Sequence, residues 1–207
     1  MKNTKHWSSY WANRKADWNK SYLSTENHPH RKLLVGILKD LPWNFLLEIG
    51  CNAGPNLLAI LKAIPGRQVG GVDINADSIA EAKKHIRSDF LKVYSADDIL
   101  ISDDAMDVIL SDMTLIYVSR GDIDRYVKEM KRISKYYVLL CEFHSTSWWN
   151  RLALDWNRGY KAYNWKKLLE KHGFYDVVVY KLKPEEWDGH EPQKTFAHII
   201  LAKVPQT

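Results

Sequence analysis

Apolar positions along the chain follow two different rhythms. Phe45–Ile49 is a near-continuous apolar run ending at Gly50, as expected of a strand buried on both faces. Pro55 then stands where a first helical residue would, and Leu57, Leu58, Leu61 and Ile64 follow before Pro65-Gly66 stops the helix. The alternation continues with strands over 68–73, 90–94, 106–111 and 136–143, and helices over 76–86 and 123–134. Strands separated by helices, each strand apolar throughout, predict an α/β fold with a parallel sheet covered on both faces. Outside this stretch the pattern is aromatic. Trp7, Tyr10, Trp11, Arg14 and Trp18 recur at helical spacing and predict one helix over 5–19. A second helix is expected over 30–40, stopped by Pro42. After Phe143 the chain reads as aromatic and irregular over 144–163, with room for a partly helical stretch. A helix follows over 164–172, then strands over 177–182 and 196–203 with a loop between them.

Composition sharpens this picture. A chain of 207 residues fits a single domain over 1–207. All nine tryptophans fall outside 46–146, so the two ends differ in kind from the middle. The net charge of +5 is spread along the chain, and the densest basic run, His28-Pro29-His30-Arg31-Lys32, is short. A nucleic-acid partner is therefore open but not favoured. Cys51 and Cys141 lie far apart in apolar surroundings, which fits a reducing compartment. The first residues form no apolar leader, and no run reaches membrane-span length, so a cytoplasmic protein without a membrane partner is expected. The eight histidines make no metal-ligand pattern, and no metal is expected.

The chemistry points to the loop after the first strand. Glycine there lets backbone approach a nucleotide at the carboxyl ends of the strands. The dinucleotide fingerprint G-x-G-x-x-G fails twice, because Asn52 and Pro55 occupy the second and third glycine places. A phosphate loop would need Gly-Lys-Ser/Thr, which is missing. Glu48-Ile49-Gly50-Cys51-Asn52-Ala53-Gly54 instead resembles the first motif of the class I S-adenosylmethionine-dependent methyltransferases, in particular the small type-11-like ones, with Asn52 departing from the middle glycine. Val72-Asp73-Ile74, Tyr94-Ser95-Ala96-Asp97 and Asp107–Met113 resemble the family's later motifs in the right order.

The resemblance implies a Rossmann-like three-layer sandwich. Its seven-stranded, mostly parallel sheet has an antiparallel last strand. Residues 1–44 would form a helical cap, 45–143 the cofactor-binding core, and 144–207 a substrate-side insertion with the final strands. It also implies S-adenosylmethionine as cofactor and S-adenosylhomocysteine as product. Glu48, Gly50, Asn52, Gly54, Asp73, Ile74, Ser95, Ala96, Asp97, Asp112 and Met113 would hold the cofactor, with Asp73 accepting from the ribose hydroxyls. His144 and Tyr117 are the candidates for catalysis, and Glu142 reads as structural. Trp11, Trp148, Trp149 and Tyr160 are candidates for contacts to the acceptor. A small-molecule acceptor is expected, with RNA or protein as the alternative and an inactive cofactor-binding subunit as a third reading. The segment Ser111-Asp112-Met113-Thr114 lacks the paired prolines of base-amino methyltransferases.

Overall fold

The computed structural model describes residues 4–187 and 189–205. The expected alternation is present: β1 (Phe45–Ile49), α4 (Pro55–Ala63), β2 (Gln68–Asp73), α5 (Ala76–His85), β3 (Leu91–Val93), β4 (Met106–Asp112), α6 (Ile123–Ile133) and β5 (Ser134–Phe143). The chain closes with α7 (Trp148–Arg158), α8 (Trp165–Lys171), β6 (Tyr175–Lys181), a short turn of helix α9 (Gln193–Phe196) and β7 (Ala197–Lys203). The strands form one sheet in the order β3-β2-β1-β4-β5-β7-β6. Only β7 runs against its neighbours. This is the Rossmann-like arrangement, with the order reversing between β1 and β4, where a crevice opens at the strands' carboxyl ends.

Alternate β1 side chains feed two cores. Leu46 packs with Leu34 and Leu38, Leu57 and Ile60, and Ile79. Leu47 and Ile49 pack with Val127, Met130 and Ile133 of α6 and with Trp165 and Leu169 of α8. The sheet is therefore covered on both faces, and only its carboxyl edge is free for a ligand.

The N-terminal residues cross that edge as α1 (Thr4–Asn13), α2 (Trp18–Ser21) and α3 (Pro29–Asp40). The single helix expected over 5–19 is broken. Asn75 draws the carbonyls of Trp11 (2.7 Å) and Arg14 (2.9 Å) to its Nδ2, and Asp17 caps α2 by accepting from the Lys20 N–H. Tertiary bonds thus replace helical ones at 14–17. The latch continues at Thr4, whose Oγ1 donates to Asp122 (2.6 Å) and accepts from the Ser119 N–H (2.7 Å). The irregular segment expected at 144–163 contains α7, which Ser147 caps by accepting from the Asn150 N–H and Gly159 ends at φ 74°. The loop over 183–194 largely holds, with short helical turns at Pro184–Glu186 and at α9. Among the described residues no helix is long and apolar enough to cross a membrane.

Candidate active site

A cavity of about 420 Å³ lies under the N-terminal helices at the carboxyl edge of the sheet. Its floor is the turn after β1. Gly50 sits at φ 71°, where a Cβ would come within 2.1 Å of the Thr114 Oγ1, so both conformation and space require glycine. Asn52 also takes a left-handed φ of 52°, a conformation asparagine tolerates, so it can stand in for glycine. Its side chain accepts from the Ala53 N–H, and its own N–H donates to the Asp73 Oδ2 (2.9 Å). The other Asp73 oxygen accepts from the Asn75 N–H (2.9 Å). Burial raises the Asp73 pKa, against the lowering effect of these N–H groups. Ile74, Ser95 and Ala96 also line the cavity.

A second group of residues forms a buried polar network. Asn56 donates from Nδ2 to the Glu48 Oε1 (2.6 Å) and the Asp112 Oδ2 (3.0 Å). His30 bonds the same Asp112 oxygen through Nε2 (2.9 Å) and packs against Trp187, with ring centroids 4.1 Å apart. Burial pushes the Glu48 carboxyl well above its ordinary range, and the neighbouring Asp112 adds to this. Burial alone would raise Asp112 too, but the His30 charge and hydrogen bond, with help from Arg31 and Asn56, hold it well below. Five buried polar atoms on cavity-lining residues have no partner: Glu48 Oε2, Asn56 Oδ1, Asp112 Oδ1, Arg31 Nε and Trp11 Nε1. Each costs about 1–3 kcal/mol when left so, which marks this wall as built for a ligand. His30, Asp112 and Cys141 bring candidate metal-ligating atoms within 4.8 Å of one another. Both His30 nitrogens are engaged, however, by Asp112 and His28, and burial keeps the Cys141 thiol protonated.

The third group is aromatic. Tyr117 packs against Trp7 (4.8 Å), Trp11 (5.2 Å) and Tyr160 (5.7 Å between ring centroids). Trp7 anchors the group by donating from Nε1 to the Gly159 carbonyl.

Comparison with known proteins agrees with this geometry. A family model described as a methyltransferase domain matches residues 46–136, the segment that carries the floor of the cavity. Over those residues the chain resembles a methyltransferase domain. Among curated proteins, no relative matches the sequence. Solved structures share its fold. A chain from the complex between the Haloferax volcanii Trm112 methyltransferase activator and a methyltransferase superposes with a TM-score of 0.67 at 16% identity, covering 92% of this chain and 97% of that one. A SAM-dependent methyltransferase from Archaeoglobus fulgidus gives 0.62 at 18%, covering 88% and 98%. A Haemonchus contortus phosphoethanolamine N-methyltransferase, in complex with phosphomonomethylethanolamine and S-adenosylhomocysteine, gives 0.61 at 17%, covering 92% and 60%.

The residues expected from sequence separate into three sets. Glu48, Gly50, Asn52, Asp73, Ile74, Ser95, Ala96, Asp112, Met113, Tyr117, Trp11 and Tyr160 all line the cavity. Gly54 and Asp97 are not among the described lining residues. Gly54, at φ 84°, starts α4 where a Cβ would meet Ile86 at 2.4 Å, and Asp97 is turned away to pair with Arg125 (2.6 Å). His144, Trp148 and Trp149 are not among the described lining residues. The His144 Nδ1 accepts the Trp165 N–H (3.2 Å), and burial, with His198 and Arg151 nearby, lowers its pKa to about 4. It joins β5 to α8. Trp148 and Trp149 point to solvent, because Leu154 and Asp155 take the inward face of α7. Glu142 is buried on β5. Its Oε1 accepts from the Ser111 hydroxyl and the N–H groups of Thr114 and Leu115, which fixes the loop carrying Met113 and Tyr117. Asn56 and Trp187 were not anticipated as site residues, and Arg31 reads from the sequence as a solvated helix start. Of these only Asn56, eight positions after Glu48 and at the start of the helix that follows its loop, had a sequence signal.

Proposed function

We propose that the protein transfers a methyl group from S-adenosylmethionine to a small acceptor held among Trp7, Trp11, Tyr117 and Tyr160. The unpartnered polar atoms carry the reading. Glu48 Oε2, Asn56 Oδ1 and Asp112 Oδ1 are three acceptors, and an ammonium group has three N–H donors. Arg31, beside them, suits a carboxylate. The amino-acid end of the cofactor presents both groups. Asp73, already oriented by two backbone N–H groups, retains lone pairs for the ribose hydroxyls. Gly50, Asn52, Ile74 and Met113 form the walls of this subsite, Ser95 and Ala96 lie where the base would rest, and Gly54 and Asp97 hold the loops in shape.

Bound there, S-adenosylmethionine supplies an electrophilic methyl on a sulfonium. The chain binds, orients and excludes water, effects that together are worth about 7–11 kcal/mol of barrier. Burial, with the nearby Tyr160, raises the Tyr117 pKa, so its hydroxyl stays protonated and serves as a hydrogen-bond donor to the acceptor rather than as a base. The rings packed on it, Trp7, Trp11 and Tyr160, carry no group that takes up a proton at neutral pH. This favours a nucleophile that carries a free lone pair at neutral pH, such as an arylamine or an imidazole ring, which an aromatic wall also suits by stacking. The volume supports a small acceptor, because 420 Å³ is near the low end of small-ligand cavities, about 300–1,000 Å³, and must serve cofactor and acceptor together. The test is to incubate the protein with methyl-labelled cofactor and separate small-molecule, RNA and protein fractions of a cell extract. Label in the small-molecule fraction is expected. Label confined to RNA or protein would overturn the small-acceptor reading, and no binding of S-adenosylhomocysteine would overturn the subsite.

A further inference from the structure

Helix α1 turns one stripe toward the cavity. Trp7, Ser8 and Trp11 follow one another at helical spacing and all line it. The polar atoms at this end differ in kind from those around Glu48. There the unpartnered atoms Glu48 Oε2, Asn56 Oδ1 and Asp112 Oδ1 are acceptors. On α1 the unpartnered buried atom is Trp11 Nε1, and an indole N–H can only donate. Trp7 gives its own N–H to the Gly159 carbonyl. Tyr117 packs on Trp11, with ring centroids 5.2 Å apart, and Tyr160 packs on Tyr117 in turn. Among the described residues neither tyrosine hydroxyl bonds another protein group. Glu48, Asn56, Asp112 and Arg31 match the amino-acid end of the cofactor, and Asp73 its ribose. The Trp11 N–H and the tyrosine hydroxyls are left over.

Charge selects the group that fills them. The Arg14 guanidinium lies over the Trp11 ring, 4.8 Å from its centroid, and 5.8 Å from that of Tyr22, another lining residue. Burial, with Tyr160 beside it, keeps the Tyr117 hydroxyl protonated, and so a donor, at neutral pH. The carboxyl that bears on Tyr117 is Glu142. Burial pushes its pKa up to about 8, and its Oε1 is taken by Ser111, Thr114 and Leu115. Donors beside a guanidinium, with the neighbouring carboxyl mostly protonated at pH 7, favour an anionic oxygen over an ammonium. Two donors on adjacent rings match the two oxygens of a carboxylate. We propose that the acceptor is a planar ring amine or azole bearing a carboxylate, and that Trp11 Nε1 and the Tyr117 hydroxyl donate to the carboxylate oxygens. This assignment rests on the methyl-transfer reading and adds to it the chemical class of the acceptor. A ring compound without the carboxylate would leave the buried Trp11 N–H unpaired, and sites built to bond a polar group discriminate strongly against its omission.

The experiment is calorimetric titration of the full chain, loaded with S-adenosylhomocysteine, with ring compounds in pairs. The aminobenzoate isomers are compared with aniline, and imidazole-4-acetate with 4-methylimidazole. The variants Trp11→Phe and Tyr117→Phe each keep a ring and remove one donor. At least one carboxylate probe should bind the parent about tenfold or more tightly than its partner compound. Each variant should lose about tenfold in affinity for that probe, while its S-adenosylhomocysteine Kd moves by less than about threefold. Unchanged melting shows that a variant remains folded, and should Trp11→Phe fail to fold, Tyr117→Phe carries the test. The proposal is overturned if no carboxylate probe binds more tightly than its partner compound, or if both variants keep the parent's affinity for it. If Trp11→Phe weakens S-adenosylhomocysteine instead of the probe, the N–H belongs to the cofactor, and the proposal fails while the cofactor subsite stands. No binding of S-adenosylhomocysteine to the parent would overturn the methyl-transfer reading itself, and the proposal with it.

Discussion

Glu48 carries the clearest electrostatic tension in the molecule: a buried carboxyl beside a second carboxylate, with one oxygen unpaired. Because burial raises its pKa, an ammonium placed against it would draw that pKa back down and favour loss of the proton. Binding of S-adenosylhomocysteine at pH 7 should therefore release a proton, seen as a dependence of calorimetric enthalpy on the buffer's ionisation enthalpy. Glu48→Gln should abolish that dependence, and proton uptake in the parent would contradict the assignment. Asp73→Ala should weaken the same binding more than tenfold, since a hydrogen bond to a charged group contributes about 1.5–3 kcal/mol and two are lost. His144→Ala should behave in the opposite way. The acceptor of the Trp165 N–H is removed, so stability falls by about 1–3 kcal/mol while S-adenosylhomocysteine affinity stays the same. A loss of affinity would return His144 to the site. Glu48, Gly50, Asp73 and Asp112 were legible because they lie at strand ends and on loops whose geometry demands them. Arg31 and Trp187 were not, because nothing local relates a residue of α3 or of the 183–194 loop to the turn after β1.

The cap is the element on which the proposed acceptor binding depends. Helix α1 is held by Thr4 at Ser119 and Asp122, by Trp7 at Gly159, and by Asn75 at the carbonyls of Trp11 and Arg14. It packs on the aromatic wall and not on Glu48. Trp7→Ala should therefore raise the acceptor KM at least tenfold, through lost ring packing, while the S-adenosylhomocysteine Kd moves by less than threefold. Equal effects on both would mean that α1 also closes the cofactor subsite. The heptad-like aromatic spacing at 7–18 showed that helix would form but not where it would break, because the break is made by an asparagine more than sixty residues away. Helix α7 was the reverse case. Ser147 and Gly159 mark its ends in the sequence, yet the aromatic composition between them read as a substrate wall. Only its orientation, set by the buried Asp155 pairs, turns those rings outward.

At the scale of the whole molecule, buried ionisable groups set how stability varies with pH. Burial pushes Glu142 up to about 8, and the folded state therefore holds a proton that the unfolded chain releases near pH 4.5. Its contribution is present at low pH and is lost as pH rises toward 8. His144 and His198, whose pKa values burial lowers, act oppositely below their unfolded value of 6.5, where stability falls with falling pH. The two effects oppose each other in the window from 4.5 to 6.5 and separate above it. Between pH 6.5 and 8 the ligand-free protein should lose stability, by up to about 1.4 kcal/mol per pH unit from Glu142, with Glu48 acting in the same direction. Glu142→Gln, which keeps an oxygen for Ser111, Thr114 and Leu115, should flatten the melting temperature across that window, and an unchanged slope would assign the effect elsewhere. By itself the sequence determined the alternation of strands and helices, the glycine turn after β1 and the acidic residue ending β2, because periodicity and left-handed turns act over a few residues. The tertiary structure decided which polar atoms meet without partners, where the cap breaks, that His144 joins β5 to α8, and which side of α7 reaches solvent. Those outcomes depend on distant residues competing for the same backbone groups and the same buried space, and no local pattern encodes that competition.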